Sequence, residues 1–131
     1  MTIRIEWNSM KASELSGNNL RRHHPMMRHR KEQQLLNDTI AMLKDMELPP
    51  WSPMQQVRIK FIAYYCGKPL DPDHLIAGMK YAVDGVVAAG VIPDDGPAHL
   101  LGFDVEYHKM HRMKDRRLAM EITEVKKGLQ L

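Results

Sequence analysis

Asp71 and Asp73 are the residues whose type and spacing point most directly to chemistry, because a single residue separates their carboxyl groups. A second acidic pair, Asp94 and Asp95, follows further along the chain. Clustered carboxylates repel one another, and a hard cation such as Mg²⁺ removes that cost because it prefers oxygen ligands. Bound Mg²⁺ can polarise a phosphodiester and activate a water molecule. The pattern predicts a metal site for phosphodiester hydrolysis; the structural alternative is a helix N-cap at Asp73 with a neighbouring turn acid.

Lys80 adds a cation to this set. On a regular helix that begins at Asp73, positions 73, 80 and 84 lie within about 20° of one another. Helix side chains lean toward the N-terminus, so Lys80 points toward the Asp71–Asp73 end. An ammonium group there could bind the scissile phosphate or stabilise the charge that develops on its oxygens. The alternative is a surface ion pair between Lys80 and Asp84, four residues on.

Hydrophobic periodicity indicates the elements that must position these residues. Alternation of apolar and polar residues predicts four strands, at 2–7, 56–65, 100–107 and 118–125. Helical spacing of apolar residues predicts two helices, at 27–46 and from 73 to about 90. Two main helices packed on a mixed sheet of about four strands make an α+β fold. We expect one domain over residues 1–131, with a basic loop or mobile arm at about 8–25.

The fold must also bring the two acidic pairs together. A helix of about 16 residues is roughly 24 Å long, so acids at its two ends lie far apart. Residues 92–99 would have to turn back toward the strand that ends near Tyr65. A metal site shared by both pairs within one chain requires that turn.

Composition excludes several classes of protein. The chain has 131 residues, of which 44% are hydrophobic and 27% charged, as in an ordinary globular domain rather than a disordered chain. Its single cysteine excludes an intrachain disulfide, and no apolar run is long enough to span a bilayer. A basic flank followed by an apolar stretch is absent near Met1, so we expect no secretory signal and a reducing, cytoplasmic location.

The distribution of charge is more informative than the formal net charge of +3. Two basic segments, 21–31 and 109–117, flank a middle stretch that is rich in aspartate. This arrangement favours a surface that grips phosphates around a carboxylate cluster, with ordinary solvated loops as the alternative. The expected DNA contacts are six arginines: Arg21, Arg22, Arg28, Arg30, Arg112 and Arg116.

The order of these residues resembles that of a known family. The chain reads Asp71-Pro-Asp-His-Leu, then Lys80, Asp84-Gly, Ala89-Gly90 and Asp94-Asp95. This order is similar to that of the RusA-type Holliday junction endonucleases. In that family a D-x-D-N-L motif precedes a helix that carries a lysine and a D-[AG] pair, and an A-G pair and a D-D pair follow. The likeness extends to the flanking strands Val57–Tyr65 and Leu118–Val125 and to the asparagine-pair loop Ser16–Arg22. Most of the chain is covered, and the specific motifs lie within 71–95.

The resemblance implies a homodimeric, Mg²⁺-dependent nuclease that nicks four-way DNA junctions symmetrically in recombination and repair, often encoded by a phage or prophage. Asp71, Asp73 and Asp95 would be metal ligands, for which Mn²⁺ could substitute for Mg²⁺. Asp94 would be a supporting acid, and Lys80 would be the catalytic or phosphate-contacting lysine. The location implied is the cytoplasm of a bacterium or a phage-infected host cell.

The sequence departs from the family pattern at two positions. His74 stands where the family usually has asparagine, and Lys80 lies seven residues after the second aspartate, whereas some members place the lysine four residues after it. Three residues are nearly one helical turn, so the lysine keeps a similar face. Two other functions stay open: a non-catalytic DNA-binding module, and a metal nuclease that acts on other branched DNA or on RNA.

Overall fold

The computed structural model describes residues 2–7, 25–46 and 56–125. Their elements, in chain order, are β1 (Thr2–Trp7), α1 (Pro25–Asp45), β2 (Val57–Tyr65), α2 (Pro72–Gly78), α3 (Lys80–Ala88), β3 (Leu100–Lys109), a 3₁₀ turn (Met113–Asp115) and β4 (Arg117–Glu124). This confirms the predicted α+β fold, in which helices pack on a mixed sheet of four strands. The predicted arm at about 8–25 lies outside the described residues except for its last position. No helix in the described part of the chain is long and apolar enough to cross a membrane.

The sheet has the strand order β1-β4-β2-β3. β4 is antiparallel to both of its neighbours, whereas β2 and β3 are parallel, in a register that runs from Val57–Leu100 to Tyr65–Lys109. A parallel pair requires a crossover connection, and α2 with α3 supplies it. The carboxyl ends of β2 and β3 therefore meet at one edge of the sheet, which we call the carboxyl-end edge.

The core lies between the helices and one face of the sheet. Alternate residues of β2, such as Ile59 and Phe61, are fully buried there, and Leu75 and Val86 of the crossover helices pack against them. α1 crosses α3 closely at Gly85, where an added Cβ would lie 2.8 Å from the Cβ of Thr39. The absence of a side chain at this position is what allows the two helices to approach.

The helix that the sequence predicts from Asp73 to about Gly90 is two helices. α2 ends at Gly78 and α3 begins at Lys80, because Met79 between them has φ −91° and ψ 7°. Glycine is a poor helix former, which explains an interruption next to Gly78. The single regular helix on which positions 73, 80 and 84 were expected to align is therefore interrupted between 73 and 80. Gly90, with φ 81°, follows the end of α3 as predicted.

Candidate functional site

Asp71 and Asp73 lie where the chain leaves β2 and enters α2. Gly67, with φ 90°, allows the turn after β2, and Pro72 occupies the start of the helix, where its missing N–H costs nothing. The N-cap is Asp71, in an extended conformation, and Asp73 lies in the first turn, so the N-cap expected at Asp73 is wrong. Asp71 makes no side-chain capping hydrogen bond. Helix capping therefore does not occupy its carboxylate.

Asp71, Asp73 and His74 form a compact group of potential metal ligands. One ligand atom from each lies within 4.8 Å of the others. Two ligands on opposite sides of one Mg²⁺ are separated by about 4.2 Å, so small rotations of exposed side chains would bring the group to coordination distance. The Asp71 side chain is 75% exposed and that of His74 is 43% exposed, with 3.9 Å between Nδ1 of His74 and Oδ2 of Asp71. The two carboxylates suit a hard divalent cation, and the imidazole adds a nitrogen donor.

Tyr107, near the end of β3, lies beside this group. Burial, together with the negative charges of Asp71 and Asp73, raises the pKa of Tyr107 above its usual value of 10.0. Its phenol oxygen is buried and has no hydrogen-bond partner among the described residues. Sequence reasoning assigned no role to Tyr107. Its alternation with other residues along β3 predicts that Tyr107 shares one face of the strand with Phe103 and Val105. Only the parallel pairing with β2 brings it to the two aspartates.

Asp94 and Asp95 lie in the exposed connection between α3 and β3. Asp94 Oδ1 accepts a hydrogen bond from the Gly96 backbone N–H at 3.0 Å, which stabilises a turn. The chain then enters β3 beside Val57, whose N–H donates to the His99 carbonyl at 2.8 Å. The connection therefore lies at the amino end of the parallel pair.

The two acidic pairs thus flank opposite ends of the parallel strands. β2 has 9 residues, which span about 26 Å. Asp71 follows the end of β2, whereas Asp95 precedes the start of β3. The group of three potential metal ligands found in the described part of the chain does not include Asp95. The expected turn back of 92–99 is not the path taken, and the metal role of Asp95 stays a prediction.

Lys80 is exposed at the first position of α3. Lys80 forms no ion pair with any described residue. The surface ion pair with Asp84, which was the alternative to a role at the phosphate, is therefore not formed. Its predicted role at the phosphate stays a prediction.

Basic side chains gather at the carboxyl-end edge. The segment after β3 is tied to the end of β2 by a hydrogen bond of 2.6 Å from the Met110 N–H to the Tyr65 carbonyl. Lys68, which follows β2, and Arg116, which precedes β4, line one pocket. The basic segment 109–117 therefore lies at the same edge as Asp71. A surface that binds phosphates around the acidic group requires cations at this position.

The six predicted DNA contacts fall into different environments. Arg112 pairs with Asp115 at 3.1 Å, Arg116 donates from Nε to the Met113 carbonyl at 3.0 Å, and Arg30 is exposed on α1. Arg21, Arg22 and the side chain of Arg28 lie outside what the structure describes. DNA contact by any of the six stays a prediction.

The face of the sheet that is turned away from the helices, here called the outer face, is also highly charged. Its cations pair with carboxylates: Arg4 with Glu121 at 3.1 Å, Arg58 with Asp104 at 3.1 Å, and Lys60 with Glu106 at 3.6 Å. The pairing with Arg58 holds the pKa of Asp104 below its usual 3.8. A surface neutralised in this way offers little net charge to a polyanion.

Comparison with known proteins adds no identification. No protein-family model matches the chain, and no curated protein sequence matches it significantly.

Proposed function

We propose that this protein is a metal-dependent endodeoxyribonuclease that resolves four-way DNA junctions by paired, symmetric nicks. The observation that supports it most is the convergence of Asp71, Asp73 and His74 within 4.8 Å. They lie at the carboxyl ends of the parallel pair β2 and β3, which is the end at which open α/β sheets commonly bind ligands. The resemblance of the 71–95 stretch to RusA-type enzymes supplies the junction as substrate.

Asp71 and Asp73 would hold Mg²⁺, with Mn²⁺ as a substitute, and His74 offers a further donor. A bound divalent ion supplies Lewis-acid polarisation of the phosphodiester and lowers the pKa of a water molecule. The exposed carboxylates retain room for the water ligands that Mg²⁺ usually keeps. Lys80 assists by balancing charge on the phosphate oxygens.

The proposal includes a twofold dimer. The sheet separates Asp95 from Asp71 within one chain, but a twofold axis can set the amino end of one protomer against the carboxyl-end edge of the other. Asp95 of one protomer then completes the metal site that Asp71 and Asp73 begin in its partner, with Asp94 supporting the turn that carries it. Two such sites related by the same axis suit two strands of a symmetric junction.

Basic residues at the carboxyl-end edge hold the DNA backbone. Charge–phosphate contacts release counterions, so binding should weaken steeply as salt is raised. The setting proposed for this reaction is DNA recombination and repair in the cytoplasm of a bacterium or of a phage-infected cell.

The test compares a synthetic four-way junction with a linear duplex of the same sequence and with RNA, each with Mg²⁺, with Mn²⁺ and with a chelator. We expect symmetric nicks in the junction only, and only with a divalent cation. Binding without cleavage in every condition would instead indicate a non-catalytic DNA-binding module. Equal cleavage of the linear duplex or of the RNA would indicate a nuclease of different substrate preference.

A further inference from the structure

We propose that a pocket at the carboxyl-end edge binds a phosphodiester of the nucleic-acid strand that flanks the phosphate held at Asp71 and Asp73. We call it the Lys68 pocket. Its lining residues are Ala63, Tyr64, Tyr65, Cys66, Lys68, Pro69, Leu70 and Arg116. This inference rests on the proposed function for the identity of the strand, but the pocket can be tested without any cleavage.

The pocket has the size of a phosphate group. It offers about 50 Å³ of space, whereas a single water molecule needs roughly 10–15 Å³ on the same measure. The space therefore matches a few water molecules or one tetrahedral oxyanion. Because the pocket is lined by two cations and no described acid, we assign it to the phosphate backbone rather than to a base.

The charge of the pocket is positive. Lys68 and Arg116 contribute two cations, and none of the described residues that line it is acidic. Lys68 is exposed and forms no ion pair with any described residue. Arg116 uses Nε for the Met113 carbonyl, which fixes the side chain and leaves its two terminal nitrogens to donate elsewhere. A guanidinium that is held in this way is suited to bidentate contact with a phosphate.

The wall of the pocket is held in place by contacts on the outer face. The Tyr64 hydroxyl accepts a hydrogen bond of 2.7 Å from Nη2 of Arg4, and the guanidinium of Arg117 lies 3.8 Å from the centre of its ring. A wall that is ordered before the ligand arrives reduces the entropy lost on binding. The pocket is therefore partly preorganised for an anion.

The position of the pocket points to a nucleic-acid strand rather than to a free anion. Leu70 lines the pocket, and the next residue, Asp71, belongs to the metal-ligand group. The pocket and the metal-ligand group are therefore contiguous along the chain. A strand whose scissile phosphate reaches Asp71 and Asp73 would pass the pocket, where Lys68 and Arg116 can hold a neighbouring phosphate.

The experiment follows backbone amide resonances of the full-length protein by NMR, without divalent cations, while inorganic phosphate or a single-stranded oligonucleotide is added. We expect saturable shifts in residues 64–68 and 116 with both probes, and displacement of phosphate by the oligonucleotide. Lys68→Gln and Arg116→Gln should each weaken binding about tenfold, as expected for the loss of a charged hydrogen bond. Lys44→Gln, which removes an exposed lysine on α1 that does not line the pocket, should bind as the parent does.

The outcomes separate the pocket from the proposed nuclease. No saturable shift, or equal weakening in Lys68→Gln and Lys44→Gln, overturns the pocket. Phosphate binding that the oligonucleotide does not displace overturns the assignment to a nucleic-acid strand. In nicking assays, Lys68→Gln should raise KM about tenfold and leave kcat unchanged. Absence of nicking in the parent protein, with the NMR response intact, removes the nuclease and leaves an anion pocket that binds nucleic acid.

Discussion

The outer face of the sheet and its carboxyl-end edge both carry many charged side chains, but they arrange them in opposite ways. On the outer face, Arg58 pairs with Asp104 and Lys60 pairs with Glu106. At the carboxyl-end edge, acids group with acids around Asp71. Arg112 pairs with Asp115 there, but Lys68 has no acidic partner among the described residues.

This difference separates structural charge from charge that is available to a ligand. Opposite charges across neighbouring strands stabilise the sheet slightly and cancel one another's field. Like charges held together cost free energy until a ligand of opposite sign arrives. Of these two regions, the carboxyl-end edge is therefore the one equipped for a cation and a polyanion.

The largest expected effect is the loss of activity when one acid of the edge is neutralised. Asp73→Asn should lower Mg²⁺-dependent nicking by at least about 100-fold, because a metal ion contributes several kcal/mol to the stabilisation of the transition state. Asp104→Asn on the outer face is the matched control and should nick at nearly the parent rate. Equal losses of nicking activity in the two variants would mean that activity does not depend specifically on the acids of the carboxyl-end edge. Circular dichroism and thermal melting should show that both variants fold.

The second prediction concerns whether Asp95 acts within its own protomer or across the dimer. Asp73→Asn and Asp95→Asn homodimers should both be inactive. A mixed dimer of the two variants should regain one intact site if Asp95 acts across the dimer, and so should make single nicks. If Asp95 acts within its own chain, both sites in that dimer are damaged and no nicks appear. Co-expression with two affinity tags isolates the mixed species, and denaturing gels of end-labelled junctions report the nicks.

The third prediction compares two tyrosine hydroxyls, one from each region. The buried oxygen of Tyr107 lacks a described partner, whereas the Tyr64 oxygen accepts a hydrogen bond from Arg4. Tyr107→Phe should therefore raise the free energy of unfolding by up to about 1 kcal/mol, and Tyr64→Phe should lower it by about 1 kcal/mol. Urea unfolding measures both. Destabilisation of similar size in the two variants would show that the Tyr107 hydroxyl has a partner in solution.

The elements of the fold were largely predictable because their signals are local. Alternation of residue types predicted a strand at 56–65, close to the observed Val57–Tyr65, and the acids that follow it were visible as a pair. The break at Met79 was missed, since a single Gly78 lowers helix propensity without forcing a stop. Helical periodicity on both sides of the break concealed it.

The site was less predictable because it depends on pairing between distant segments. Nothing in residues 92–99 indicates at which end of the sheet Asp95 will lie; the parallel register of β2 with β3 decides it. The same register brings Tyr107 to Asp71, and the hydrogen bond from Met110 to Tyr65 carries the basic segment to the same edge. Periodicity identifies faces, but not the partners of a strand.

The smallest expected effect is the response of the outer face to acid. Hydrogen bonding from Arg58 lowers the pKa of Asp104, and hydrogen bonding from His108 lowers the pKa of Glu106. A carboxylate with a lowered folded-state pKa stabilises the fold above its unfolded pKa, and that contribution is lost as pH falls through the folded value.

For Asp104 this loss should therefore lie below pH 3.8, its usual value. Carboxyl ¹³C shifts followed against pH should place the Asp104 midpoint below that value in the parent. Arg58→Gln removes the largest cause of the shift and should return the midpoint toward 3.8. A midpoint that is the same with and without Arg58 would mean that the pair does not persist in solution, and the contrast between the neutralised face and the charged edge would lose one of its supports.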